Sequence, residues 1–422
     1  MILALAGLYG AILFGAIRWS RRWDGGAGTI FVFGASAFIY NLAIPVESVA
    51  TGRDWIYALG RKLFMSDEQL ETISVMAVLA LIGFTIGFVA SGLRIRLDQP
   101  EPGGRRDHSF VGVLALVAVS VAVGLIFFAD TIVEVSSYEA NYRILNTSPA
   151  FAFTTKVFIV AACVGAASMI RQGSAWMYWT PLVLVVASWG IYSSNKDPIL
   201  IALLACGSLL HVRQVGASTG SLVLVATAAL AGAAILPVIF SAYRAGVDLS
   251  VALTVLAQRG AFMSSDPSGP FVSLVGSISA ASGPLWGESY LQAVTSWVPG
   301  FLWPGKPIDL AEEFARQNIA EWSPGRGLGF SLLGESYINF GLAGPLLQYG
   351  AIGWLWGVAW RVVRTTRLLS TTVFKSLYSV AGMYMLFIMH RGGTSLLVTQ
   401  FAQIVLPVLA SVFLVRSVRL RI

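Results

Sequence analysis

Apolar stretches of about twenty residues recur along the whole chain, and no other feature constrains its fold so strongly. A helix crossing a bilayer needs about 20 mostly apolar residues. Only helices and closed barrels satisfy their backbone polar groups away from water. Eleven stretches qualify as candidate spans: 1–17, 28–45, 73–93, 109–129, 150–170, 176–194, 198–212, 220–242, 337–360, 370–390 and 396–415. The first lacks a basic leading region and a small-residue cleavage site, so it reads as a retained span. Only 12% of residues are charged and 56% are hydrophobic, against about 25% charged in soluble proteins. That excludes a soluble enzyme, a disordered chain and a nucleic-acid-binding domain. The expected fold is a single all-α polytopic membrane domain over residues 1–422, with about 11 transmembrane helices.

The loops alternate in charge as the positive-inside rule requires. One set carries 16 basic residues, from Arg18 to Arg421, against four acidic ones, a balance of +12; the other carries 12 basic and 17 acidic, a balance of −5. The first set reads as cytoplasmic, with the N-terminus outside and the C-terminus inside. Cys163 and Cys206 both lie in apolar stretches, so no disulfide framework is expected. His108, His211 and His390 are too scattered for a zinc site, and no Asp-x-Asp or His cluster presents a divalent-metal site. Neither a metal nor a cofactor is expected.

The opposite side carries the unusual material. Residues 46–72 and 130–149 form external loops, and the largest loop covers 243–334. Trp286, Trp297, Trp303 and Trp322 and several prolines suggest that it folds against the membrane surface. Asp309-Leu-Ala-Glu312 is a capping-box variant that opens a short amphipathic helix, with Leu310, Phe314 and Trp322 near one face. Residues 271–285 are apolar but too short to span, and suit a buried or re-entrant element. A glycine-rich run, Ser323 to Gly334, then leads into Glu335, Tyr337 and Asn339. Such a run reads as an entry turn, or as a cradle of free N–H groups for an anion. A carboxylate at the mouth of a membrane helix is costly to bury and often functional; its other reading is a charge favouring the helix dipole.

Basic residues on this side need a reason. Lys196, Arg244, Arg259, Arg326 and Arg391 all lie at outer span ends or in outer loops, Arg391 within His390-Arg391-Gly392-Gly393. Singly, each reads as a snorkelling charge. Together they suit one anion, and a diphosphate fits the Arg fork and the compact Lys charge.

Trp303-Pro-Gly-Lys306-Pro307, followed by Gly334-Glu335-Ser-Tyr337-Ile-Asn339-Phe-Gly-Leu-Ala-Gly344, resembles the Wzy-type polymerases of bacterial surface polysaccharides, the O-antigen or oligosaccharide repeat-unit polymerases. The many-span layout with one large late external loop is similar over most of the length. The resemblance implies a GT-C-like, metal-independent glycosyltransferase of the bacterial inner membrane, making lipopolysaccharide or exopolysaccharide. Its donor and acceptor would be undecaprenyl-diphosphate-linked oligosaccharides at the periplasmic face, with block transfer of the growing chain. It also admits a Wzz-type chain-length regulator as a partner, beside the lipid bilayer. On this reading Glu335, Arg326 and Arg391 are catalytic. Lys196, Arg244, Arg259, Trp303, Lys306, Tyr337, Asn339 and His390 bind substrate. Many relatives carry Arg where this chain has Lys196, and O-antigen ligases usually carry His where it has Glu335, which favours polymerase over ligase.

Two alternatives remain: a ligase of the same fold, and a transporter or flippase of the same lipid-linked glycan. A transporter is expected to show internal repeats and ionisable or broken segments at mid-membrane. No repeat is visible, and the unusual groups sit at outer span ends. The charge asymmetry predicts that a cysteine introduced into the 243–334 loop reacts with an impermeant thiol reagent before the inner membrane is opened. Labelling only after it is opened overturns the orientation.

Overall fold

The computed structural model describes residues 1–21, 26–58, 61–91, 109–135, 141, 144, 148–193, 195–207, 239, 247–263, 267–279, 283–296, 298, 303, 305, 307–319, 329–365 and 372–419. Seven helices among them are long and apolar enough to cross a membrane: Ile2–Ser20, Gly28–Thr51, Asp67–Ala90, Phe110–Phe127, Pro149–Arg171, Thr372–Arg391 and Gly393–Leu414. The chain is an all-α, multi-pass membrane protein.

The helices are α1 (Ile2–Arg21), α2 (Gly26–Ala37), α3 (Ala43–Thr51), α4 (Asp67–Ala90), α5 (Ser109–Phe127), α6 (Ala129–Glu134), α7 (Pro149–Arg171), α8 (Trp176–Tyr192), α9 (Lys196–Cys206), α10 (Leu249–Arg259), α11 (Ser268–Ser279), α12 (Glu288–Thr295), α13 (Leu310–Asn318), α14 (Leu332–Phe340), α15 (Gly344–Thr365), α16 (Thr372–Leu377), α17 (Met383–Ile388), α18 (Gly393–Gln400) and α19 (Leu406–Arg419). Three of the spans are not pure α-helix. π turns at Phe38–Leu42, Tyr378–Gly382 and Phe401–Val405 join α2 to α3, α16 to α17, and α18 to α19. A hairpin, β1 (Trp55–Ala58) with β2 (Arg61–Phe64), lies between α3 and α4.

Seven predicted stretches are thus long helices. Two more, 176–194 and 198–212, are the helices α8 and α9, of 17 and 11 residues. Stretch 220–242 lies outside the described residues apart from Ile239. The stretch 337–360 departs from expectation. It is divided between α14 and α15 at Gly341, whose φ of 58° suits only glycine. An apolar run continues through the break, so composition alone hides it.

Among the described residues two large hydrophobic cores form, beside a small cluster of Val135, Ile144 and Phe151. One gathers α1–α4, α11, α14 and α15; the other gathers α5, α7–α9, α16 and α19. The span made by α16 and α17 faces both, with Met385 and Met389 in the first core and Tyr384 and Ile388 in the second. The short helices of the large loop pack as the sequence suggests. Asp309 caps α13 by accepting from Glu312 N at 2.7 Å. Phe314 then lies edge-on to Phe330, 5.8 Å between ring centres, and against Gly276 of α11. Trp322 lies outside the described residues.

Helix α4 packs closely on α15 through two small-residue motifs, Gly83-x-x-x-Gly87 and Gly353-x-x-x-Gly357. A Cβ at Gly83 would stand 2.5 Å from Leu346 O. At Gly87 and Gly353 it would run into the carbonyls of Gly350 and Phe84. Close backbone approach of this kind drives helix association where water is absent. Gly87→Val is therefore expected to destabilise the folded protein by about 1–3 kcal/mol or more, read as a fall in melting temperature in detergent. Gly7→Ala, with open space around it, leaves that temperature unchanged or slightly higher.

Candidate active site at the Gly392–Gly393 turn

Glu335 sits in the first turn of α14. The helix starts where it does because Ser331 caps it, accepting from Gly334 N at 3.4 Å. Ser331 N in turn donates to Ser273 Oγ of α11 at 2.8 Å, and a Cβ at Gly334 would lie 2.8 Å from Ser277 Oγ. α14 is thereby seated on α11, and Glu335 is only 2% exposed. Its Oε1 accepts from Ser289 Oγ at 2.9 Å, and its Oε2 accepts from Thr394 N at 2.6 Å. Gly393 is required at this contact for two reasons: its φ is +63°, and a Cβ would stand 2.9 Å from Glu335 Oε2. Glu335 lies outside the seven candidate spans. Burial raises its carboxyl pKa above the ordinary value, more than the bonds from Thr394 and Ser289 lower it.

Asn339, one turn further along α14, completes the clamp. Its Nδ2 donates to Ser289 Oγ at 2.7 Å and to Glu335 O at 2.8 Å, and its Oδ1 accepts from Gly287 N at 2.9 Å. Asn339 thus fastens the start of α12 to α14, and its amide is occupied within the protein.

Arg391 lies on the other side of the same turn. Its NH1 is 3.2 Å from Asp197 Oδ1, each side chain being 29% exposed. Tyr384 donates its hydroxyl to Asp197 Oδ2 at 3.1 Å. Asp197 is held at the start of α9 by the cap from Asn195, whose Oδ1 accepts from Asp197 N at 3.0 Å. Lys196 is the neighbouring residue on α9, half-buried. The end of the glycine-rich run also reaches this place: a Cβ at Gly329, whose φ is +73°, would stand 2.6 Å from Arg391 O.

The structure therefore brings together Glu335, Arg391 and the Lys196–Asp197 turn. Arg326, Arg244 and Lys306 lie outside the described residues. Arg259 ends α10, in a segment fastened to α3: Glu47 accepts from Ala261 N at 2.5 Å and from Phe262 N and Met263 N at 2.9 Å each. Trp303 is exposed, and Tyr337 is half-buried against the first core. His390 turns inward. It is fully buried among Phe33, Tyr40 and Tyr349, with ring centres 5.4, 6.4 and 5.9 Å away. Among the described residues neither ring nitrogen of His390 has a hydrogen-bond partner, nor do the side-chain amide of Asn41 and the Tyr349 hydroxyl. Among the described residues no group of three His, Cys, Asp or Glu is placed to hold a metal ion.

Sequence reasoning passed over Glu47, Lys156, Asp197, Ser289 and Thr394. For Glu47 the signal was present, a carboxylate closing an apolar stretch, the same argument that singled out Glu335. No family model, curated protein or solved structure matches the chain.

Hydrogen bonds to a charged group contribute about 1.5–3 kcal/mol each, and Glu47 accepts three. Glu47→Ala is expected to release the 249–263 segment, so that limited proteolysis there quickens several-fold. Glu47→Gln, which still accepts through its amide oxygen, falls between. An unchanged cleavage rate in the Ala variant removes the anchoring role.

Proposed function

We propose that the chain is a membrane glycosyltransferase that polymerises lipid-diphosphate-linked oligosaccharides by block transfer, as the resemblance to Wzy-type polymerases implies. One observation supports this best. A buried carboxylate and a guanidinium, remote in sequence, meet at the two ends of one glycine turn, Glu335 through Thr394 and Arg391 directly.

In this reaction the acceptor sugar's hydroxyl attacks the anomeric carbon of the growing chain. The new C–O bond forms as the bond to the lipid diphosphate breaks, and the electron pair leaves on the phosphate. Glu335 takes the hydroxyl proton. Each of its oxygens accepts one bond, and an ionised carboxylate oxygen has a further lone pair for the incoming hydroxyl. Arg391 neutralises charge building on the phosphate, and Arg326 shares that role. Asn339 positions α12 beside the base, and Trp303 offers an exposed aromatic face for a sugar ring. The periplasmic face, an inner-membrane location and a chain-length regulator as partner belong to the same proposal.

The test is purified protein incubated with a lipid-linked repeat unit, with chain length read on a gel. The wild type yields a ladder without another acceptor; product only with an added acceptor indicates a ligase. Glu335→Gln and Arg391→Ala each lower the rate about a hundredfold or more while the protein stays folded. The base must be ionised and burial raises its pKa, so the rate climbs with pH through a limb above the ordinary carboxylate range. A Gln variant with near-normal ladders, or a rate flat through that limb, overturns the role of Glu335.

A second reading, transport of the same lipid-linked glycan, is favoured by Lys156 within a span and by the three π turns in spans. Transfer of the glycan across vesicle membranes with no ladder would select it.

A further inference from the structure

Helix α12 carries the serine that holds Glu335, and its eight residues divide into three sectors. At about 100° per residue, Ser289 and Ala293 fall on one side, and both are buried. Glu288 and Gln292 fall on a second, where Gln292 Nε2 donates to Glu288 Oε1 at 3.5 Å. Leu291 and Val294 fall on the third, away from the buried side, and are 74% and 60% exposed. One sector against protein, one polar and one apolar and open is the pattern of a helix at a bilayer surface, with water along one edge and lipid along another.

Trp286, two residues before α12, adds to the apolar sector. Among the described residues it alone, glycines apart, has a positive φ, 49°. A large side chain rarely takes that conformation. Backbone bonds hold it there, Leu285 N donating to Ile338 O at 2.9 Å and Trp286 N to Asn339 O at 3.2 Å. The indole is nonetheless 76% exposed, so burial within the chain does not offset the strain. Its ring lies 6.4 Å from that of Phe340, which lies 6.1 Å from that of Tyr290, beside Val294 on α12. Two residues beyond Phe340 the exposed apolar side chains continue with Leu342, then with Leu346 and Leu347 at the start of α15. Their depth is fixed by α4, since a Cβ at Gly83 would stand 2.5 Å from Leu346 O. Gly83 is about 24 Å along that span from Asp67, so these leucines meet hydrocarbon and not water. An apolar strip thus leads from the depth of the bilayer, past Phe340 and Trp286, to α12.

We propose that Trp286, Leu291 and Val294 dock α12 into the edge of the bilayer, and that the site at Glu335, one helix behind them, takes a ligand whose chain stays in the lipid. Tryptophan is the residue that membrane–water boundaries favour. A helix with its side chains is about 10–12 Å across, so a ligand's polar end reaches the carboxylate while its chain lies along the strip. The docking surface stands on the geometry above; that the ligand is a lipid-linked glycan rests on the glycosyl-transfer reading.

The experiment uses the full chain in vesicles of brominated-chain lipids, with a thiol-reactive fluorophore placed at Leu291→Cys, Val294→Cys and Glu288→Cys in turn. Label on Cys163 and Cys206 is measured on the wild type and subtracted. Brominated chains are expected to quench the label at 291 and 294 several-fold more than at 288, and aqueous iodide the reverse. Iodide that reaches 291 and 294 as readily as 288 overturns the surface. So does protection from both quenchers, which would mean that protein covers it. In the polymer assay Leu291→Asn raises KM for a long-chain donor about tenfold and leaves KM for a short-chain, water-soluble donor unchanged. Leu291→Met keeps both near the wild-type values. An equal fall in kcat with both donors marks a displaced Glu335 and overturns the lipid route. Lipid quenching without any ladder keeps the surface and defeats the polymerase reading. A ladder from a protein whose label at 291 is quenched by iodide alone does the reverse.

Discussion

A single buried carboxylate organises the region where function is expected. Glu335 holds the hydroxyl of Ser289 on α12 and the N–H of Thr394 on α18. Three segments that meet nowhere in the sequence are thereby fixed to one another. An uncompensated buried carboxylate is strongly unfavourable, so these bonds must form for the turn to close. The position of Arg391, three residues before Thr394, follows from that closure. So does the demand for glycine at 393, where a side chain would displace the carboxylate, and at 329, where one would press on the Arg391 carbonyl.

Around that turn the two cores act as a frame. The span made of α16 and α17 is packed on both sides, and it delivers His390 and Arg391 at its end. His390 stays in the interior among aromatic rings. The next residue leaves the core and reaches Asp197. One step along the chain thus separates a buried imidazole from a partly exposed guanidinium in an ion pair.

Much of this was legible in the sequence. The seven long helices were readable from apolar length and the α13 cap from Asp309 and Glu312, while the two small-residue motifs marked faces of close backbone approach without saying which helices meet. Glu335 and Arg391 stood out as charges placed where charge is disfavoured. Other features were hidden for identifiable reasons. Glu47 and Lys156 sit inside or at the edge of apolar stretches, where hydropathy averaging absorbs a single charge. The Arg391–Asp197 pair joins residues far apart in the chain, and such pairing leaves no periodic mark. Asn339 and His390 share segments with the expected site but face inward, because burial depends on helix rotation and not on sequence position. The break at Gly341 is a matter of backbone angle, invisible while the surrounding residues remain apolar.

The three π turns have a consequence for how this architecture tolerates change. Each contains one more residue per turn than an α-helix needs, so it behaves as an insertion absorbed without ending the helix. Everything downstream is rotated by about 100° relative to an uninterrupted helix, the angle of one residue. One of the three lies between a core-packed helix and a group discussed above: Tyr378–Gly382 precedes Arg391. Within these spans, residue count is therefore a stricter requirement than residue identity. Exchanging one apolar side chain for another keeps the facing of Arg391, whereas losing a single residue between the π turn and Arg391 would swing it by about 100°, away from Asp197, while leaving hydropathy almost untouched.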